Sequence, residues 1–166
     1  MARDILKTLK TEHEKVRSLF EEITATTDRA QKKRGALLEE ILGSLVPHAK
    51  WEETVFYPAF EARSDREGLK THAEAVEEHR AVELTVIPDV NSADIDTPQF
   101  AGRVKVFAEQ VDHHAKEEER TMFKMARDMF SEEERAQLDV DYETWKSSSL
   151  GKSVVAQAMK EMGVRT

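Results

Sequence analysis

Two stretches of this chain are copies of each other. HAKWEETVFYP, starting at His48, aligns with HAKEEERTMFK, starting at His114, at an offset of 66 residues. The same offset carries Glu12-His13 onto Glu78-His79 and Val16 onto Val82. It also carries Leu38, Ile41, Leu42 and Leu45 onto Val104, Phe107, Ala108 and Val111. In both copies the second His follows the first by 35 residues. The chain reads as two copies of one helical hairpin, residues 5–60 and 71–126. Each copy carries an apolar stripe that it cannot bury alone, so the two must pack on each other.

The stripes set the elements. Apolar residues at Ile5, Leu6, Leu9, Val16, Leu19, Phe20 and Ile23 predict a helix over 3–25. A polar stretch at Thr26–Ala30 ends it. A second stripe runs through Leu38, Ile41, Leu42, Leu45, Val55 and Phe56. Pro47 removes one backbone bond from this helix, toward Gly43, and predicts a kink. Pro58 predicts an end or a second bend near 60–63. A third helix is expected from about Glu67 to Ile87, stopped by Pro88, with Asp89–Asp96 as a loop. Thr97-Pro98 reads as an N-cap and first helical residue of a fourth helix that reaches about Phe130. Ser131 and Glu134 form a capping-box pattern for a helix over 132–146. Ser147–Gly151 reads as a break, and the last fifteen residues carry no legible chemistry. The expectation is an all-α, up-down-up-down antiparallel four-helix bundle over 1–130, with a helical extension over 131–166.

Composition narrows the function. The formal net charge is −8, which disfavours a phosphate backbone as partner, so nucleic acid is not expected. No apolar run is long enough to span a bilayer, and the N-terminus lacks an apolar signal core, so no membrane association and a cytoplasmic location are expected. A monomer or homodimer is expected. There is no Cys, so any metal must be held by imidazole and carboxylate.

The seam positions say where. Inner lines alternate spacings of three and four through 38, 41, 45, 48, 52 and 55, and through 104, 107, 111, 114, 118 and 121. The other two helices give 9, 13, 16, 20 and 23, and 75, 79, 82 and 86. His13, His48, His79, His114, Glu52 and Glu118 therefore stand where Leu would be expected. Two unpaired carboxylates in a helical core would cost several kcal/mol each or take up protons. Gathered with four imidazoles, they make sense around cations. Two ions fit: each takes two His and shares both carboxylates, and a solvent-derived bridging oxygen brings each to about five ligands. Imidazole-rich coordination tilts the choice to iron over manganese or zinc.

Other residues compete for these roles. His72 reads as a neighbour of the site or a bundle-end residue, and His113 as flanking, with the repeat favouring His114. Glu53 and Glu119 correspond at the same offset but fall off the inner line and read as solvated. Tyr57 either lines the site or packs. No His has a Glu three residues before it, which excludes the Glu-x-x-His di-iron framework, and His13-Glu14 lacks the second His of a zinc-protease motif.

The pattern His, His-x3-Glu, His, His-x3-Glu resembles the hemerythrin family in its HHE cation-binding branch. HAKWEETVFYP looks like that family's second-helix motif and DHHAKEEERTMF like its fourth-helix motif. The resemblance covers about residues 5–130. It implies two non-haem irons (Fe2+/Fe3+) with an oxo or hydroxo bridge, joined by Glu52 and Glu118, with His13, His48, His79 and His114 as terminal ligands. The family's oxygen carriers have a second His on the third helix, where this chain has Ala75, and an Asp one residue beyond Glu118. The missing ligand implies a more open second iron. The resemblance thus implies binding of dioxygen, peroxide or nitric oxide, with peroxide or nitric oxide turnover, iron storage and redox sensing as alternatives.

Overall fold

The structure is a computed structural model and describes residues 2–164. Among these residues there are six helices and no strand. Helix α1 is Ile5–Thr24, capped by Asp4, whose side chain accepts from the Leu6 amide. Helix α2 is continuous over 31–63: Gln31–Trp51, a π-helical turn Glu52–Phe56, then Tyr57–Arg63. Helix α3 spans 66–92 as Arg66–Ala81, a π turn Val82–Val86 and Ile87–Ser92. Helix α4 spans 98–129 as Pro98–Glu117, a π turn Glu118–Met122 and Phe123–Met129. Helices α5, Glu132–Ser147, and α6, Ser149–Glu161, follow.

Thr97 caps α4, and Ser131 with Glu134 forms the capping box of α5. Two expectations need correction. Pro88 does not stop α3, because the Ile87 amide donates to the Val82 carbonyl in a π turn directly ahead of it. Pro88 then sits in the first turn of a new α segment, where a residue without N–H loses nothing. The loop accordingly shrinks to the few residues before Pro98. Pro58 follows the π turn of α2 in the same way.

The π turns also move the seam. Each inserts about one extra residue into a turn. Past them the inner line steps from Val55 to Phe56, and from Thr121 to Met122. Phe56 and Met122 are fully buried, while Val55 and Thr121 are half-buried. The turns in α2 and α4 begin at Glu52 and Glu118, so they obey the repeat.

The apolar core forms two blocks. One gathers Leu9, Phe56, Phe60, Ala75, Met122 and Phe123. The other gathers Val16, Phe20, Ile41, Val90, Val104 and Phe107. Each of the first four helices contributes side chains to both blocks. The six His and Glu of the inner lines occupy the layer between.

Helix α5 packs on α1, and α6 packs on α2 and α5. The break between them depends on Gly151. A Cβ there would lie 2.0 Å from the Trp145 carbonyl oxygen, a rigid backbone atom. Gly151→Ala is expected to destabilise the protein by about 1–3 kcal/mol as α6 is forced off its seat. Urea unfolding measures this, and an unchanged midpoint would contradict it.

Candidate metal centre

Four imidazoles point Nε2 inward. His13 and His48 approach Nε2 to Nε2 at 3.2 Å, and His79 and His114 at 3.0 Å. Glu52 spans the two pairs, with Oε1 at 3.0 Å from His48 Nε2 and Oε2 at 3.5 Å from His79 Nε2. Glu118 does the same through Oε2, at 3.4 Å from His13 Nε2 and 3.6 Å from His114 Nε2. Two donor groups result. His13, His48, Glu52 and Glu118 lie within 4.8 Å of one another, as do Glu52, His79 and His114. All six predicted residues are thus brought together.

The opposite face of every ring explains which nitrogen is free. Nδ1 of His48 faces Glu12 at 2.8 Å and Nδ1 of His114 faces Glu78 at 2.6 Å. Nδ1 of His79 faces Glu53 at 2.8 Å and Nδ1 of His13 faces Glu119 at 3.0 Å. Nδ1 is held by a carboxylate on every ring, so Nε2 is the nitrogen turned to the centre, where a cation would replace its proton. Glu52 Oε1, Glu52 Oε2 and Glu118 Oε2 are buried with no hydrogen-bond donor. Four imidazole Nε2 atoms and three orphaned carboxylate oxygens converge on one buried layer. Cations satisfy that arrangement, and neutral side chains do not.

The electrostatics agree. Burial alone would lower the His48 pKa, but Glu52 and Glu12 drive it up to about 10. Burial would likewise lower His114, yet Glu118 and Glu78 raise it. Glu118 is held below the usual carboxylate range by His114 and His13 against its own burial. The layer is a field that attracts positive charge.

The outer carboxylates correct the sequence reading. Glu53 and Glu119 are not solvated; they are 24% and 19% exposed and anchor His79 and His13. The signal was present, since the 66-residue offset pairs Glu12 with Glu78 and Glu53 with Glu119. Tyr57 lines the site: its hydroxyl donates to Glu118 Oε1 at 2.6 Å and lies 3.1 Å from His79 Nε2 and 3.3 Å from His114 Nε2. Burial, then Glu118 and Glu52, push its pKa well above the ordinary phenol value, so it stays a donor.

The model of the hemerythrin HHE cation binding domain matches residues 4–126. The chain belongs to the hemerythrin HHE family. A Hemerythrin HHE cation binding domain-containing protein from Mycobacterium kansasii has the same fold, with a TM-score of 0.74 and 22% identity over 93% of this chain and 98% of that one. A protein named DNA nickase, from Nostoc sp., is 29% identical over 147 residues, 87% of this chain but 39% of its own length. The chain therefore spans well under half of that relative.

Within this HHE domain the remaining His stay outside both donor groups. His113 is 61% exposed, with Nε2 3.2 Å from Glu78 Oε1. His72 lies 3.8 Å from Glu61 and edge-on to the Tyr57 ring. Ala75 is buried in the apolar block and offers no donor.

Proposed function

We propose that this HHE domain holds two iron ions within an up-down-up-down four-helix bundle and binds a small ligand such as dioxygen, peroxide or nitric oxide there. The observation that carries the reading is the set of three buried, unpartnered carboxylate oxygens gathered with four inward imidazole Nε2 atoms. His13 and His48 would serve one ion, His79 and His114 the other, with Glu52 and Glu118 bridging. Iron pairs bound this way supply open coordination positions and one-electron redox chemistry. No helix among the described residues is long and apolar enough to cross a membrane, and a cytoplasmic location remains part of the proposal.

The chain's own residues shape what enters. An apolar cavity of about 40 Å³ touches His79 and His114 and is walled by Leu45, Val46, Val82, Ile87, Val111 and Met162. That volume suits a molecule of two or three atoms, and the walls favour a weakly polar one. Tyr57 holds a proton over the same pair of imidazoles. That placement favours peroxide or nitric oxide turnover as the second reading. Metal analysis with an optical spectrum tests the proposal. Iron-replete expression is expected to give about two irons per chain and ferric near-ultraviolet absorption. Zinc as the sole bound metal would sink the iron assignment.

A further inference from the structure

Helix α5 lies outside the repeat, and the two-hairpin pattern does not call for it. It docks on α1 through polar rungs about one helical turn apart. Arg135 Nε donates to Asp4 Oδ2 at 3.0 Å, and Thr8 Oγ1 donates to Asp139 Oδ1. At the third rung Tyr142 Oη donates to Glu12 Oε2 at 2.8 Å, and Lys146 Nζ donates to Glu12 Oε1 at 2.9 Å. Asp4, Thr8 and Glu12 share one face of α1 because they stand four residues apart. The Tyr142 ring is fully buried against Trp51 at 4.8 Å, and the Lys146 ammonium lies over that ring at 4.1 Å. The docking is therefore built along the whole helix, and it ends on Glu12. Glu12 Oε2 is also the atom that faces His48 Nδ1.

The second hairpin has no equivalent rungs. The offset carries Asp4, Thr8 and Glu12 onto Lys70, Glu74 and Glu78. Lys70 and Glu74 are exposed. Glu78 Oε1 meets the exposed His113 where Glu12 meets a buried phenol and an ammonium. The other two outer carboxylates are balanced between the halves, since Arg17 donates to Glu119 and Lys50 donates to Glu53. The asymmetry is thus concentrated at Glu12 and Glu78.

We propose that Tyr142 and Lys146 are positioning residues for His48, acting through Glu12, and that α5 thereby makes the two metal positions unequal. The ion on the His13–His48 side is the tightly retained one, and the ion on the His79–His114 side exchanges. This rests on the di-metal reading above. Fixing the orientation of an imidazole through its outer hydrogen bond changes metal affinity by about 10- to 100-fold.

The test is release of ferrous ion from the iron-loaded full chain to ferrozine under anaerobic conditions. Tyr142→Phe with Lys146→Met keeps the buried ring and the methylene stem, so packing is preserved. The parent protein is expected to release its two ions in separate fast and slow phases. Crystals chased briefly with ferrozine are expected to keep anomalous density on the His13–His48 side. In the double variant the slow phase is expected to quicken about tenfold and the fast phase to stay unchanged. Restoring the cation as Lys146→Arg, with Tyr142 intact, is expected to return the slow phase. Equal phases in the parent, an unaltered slow phase in the variant, or equal quickening of both phases overturns the inference. A parent chain that binds no metal overturns the di-metal reading itself. Two bound irons with unaltered release in the variant overturns the role of α5 alone.

Discussion

Replacing both bridging residues, as Glu52→Gln with Glu118→Gln, is expected to take the protein from about two bound ions to nearly none, with each position weakened by more than about 100-fold. An amide is neutral and presents one oxygen, so it cannot span two cations as a carboxylate does. The variant is still expected to fold. Gln has nearly the volume of Glu, and its side-chain amide can hydrogen-bond the His48 Nε2, which lies 3.0 Å from the native Oε1, with its oxygen accepting when that nitrogen is protonated. Metal present at about a thousandfold over its dissociation constant stabilises a protein by about 4 kcal/mol. Iron is therefore expected to raise the melting temperature of the parent and leave that of the variant unmoved. Retention of both ions by the double variant would show that these carboxylates are not the bridges.

The metal-free and metal-loaded proteins are expected to respond to pH with opposite sign. Without metal, His48 has its pKa raised from 6.5 to about 10. Its contribution to stability is complete below 6.5 and is lost as pH rises toward 10. His114 is raised too and acts in the same sense. Glu12 is lowered from 4.5 to about 2, as the pull of His48 and Lys146 overcomes burial. Its contribution is present above 4.5 and is lost as pH falls toward 2. The metal-free protein is therefore most stable between these limits, on the acid side of neutrality. One such His changes stability by about 2 kcal/mol between about pH 8 and 6.5, or about 4–8 °C in melting temperature. With metal bound, protons compete for the same Nε2 atoms, so stability falls as the pH is lowered through the same range. Thermal melts with chelator and with ferrous iron are expected to converge in acid and diverge in base. Parallel curves would rule out linkage through these imidazoles.

The repeat explains why so much of the site could be read from the chain. A His or Glu at a seam position needs only the helical period to be placed inside, and the 66-residue offset duplicates each assignment. The capping signals at Thr97 and Ser131 are equally local, since each concerns a few neighbouring residues. A constant period misleads where periodicity itself changes. The π turns have no sequence signature in a fixed-period pattern, so a constant period ends α3 at Pro88 and carries the inner line to Val55 and Thr121. It misleads again at Glu53 and Glu119, which lie beside the seam on their own helices. Their burial comes from neighbouring helices: α3 brings His79 to Glu53, and α1 brings His13 to Glu119.

By itself, then, the sequence determined a helical chain of two like hairpins and the six side chains that meet between them, because both follow from spacing along one helix. Only the tertiary structure decided which nitrogen of each imidazole is free, that Tyr57 closes the site, and that α5 reaches Glu12. Those contacts join residues far apart in the chain, up to 134 positions for Lys146 and Glu12. No local periodicity encodes such a distance; it is set by how the helices pack.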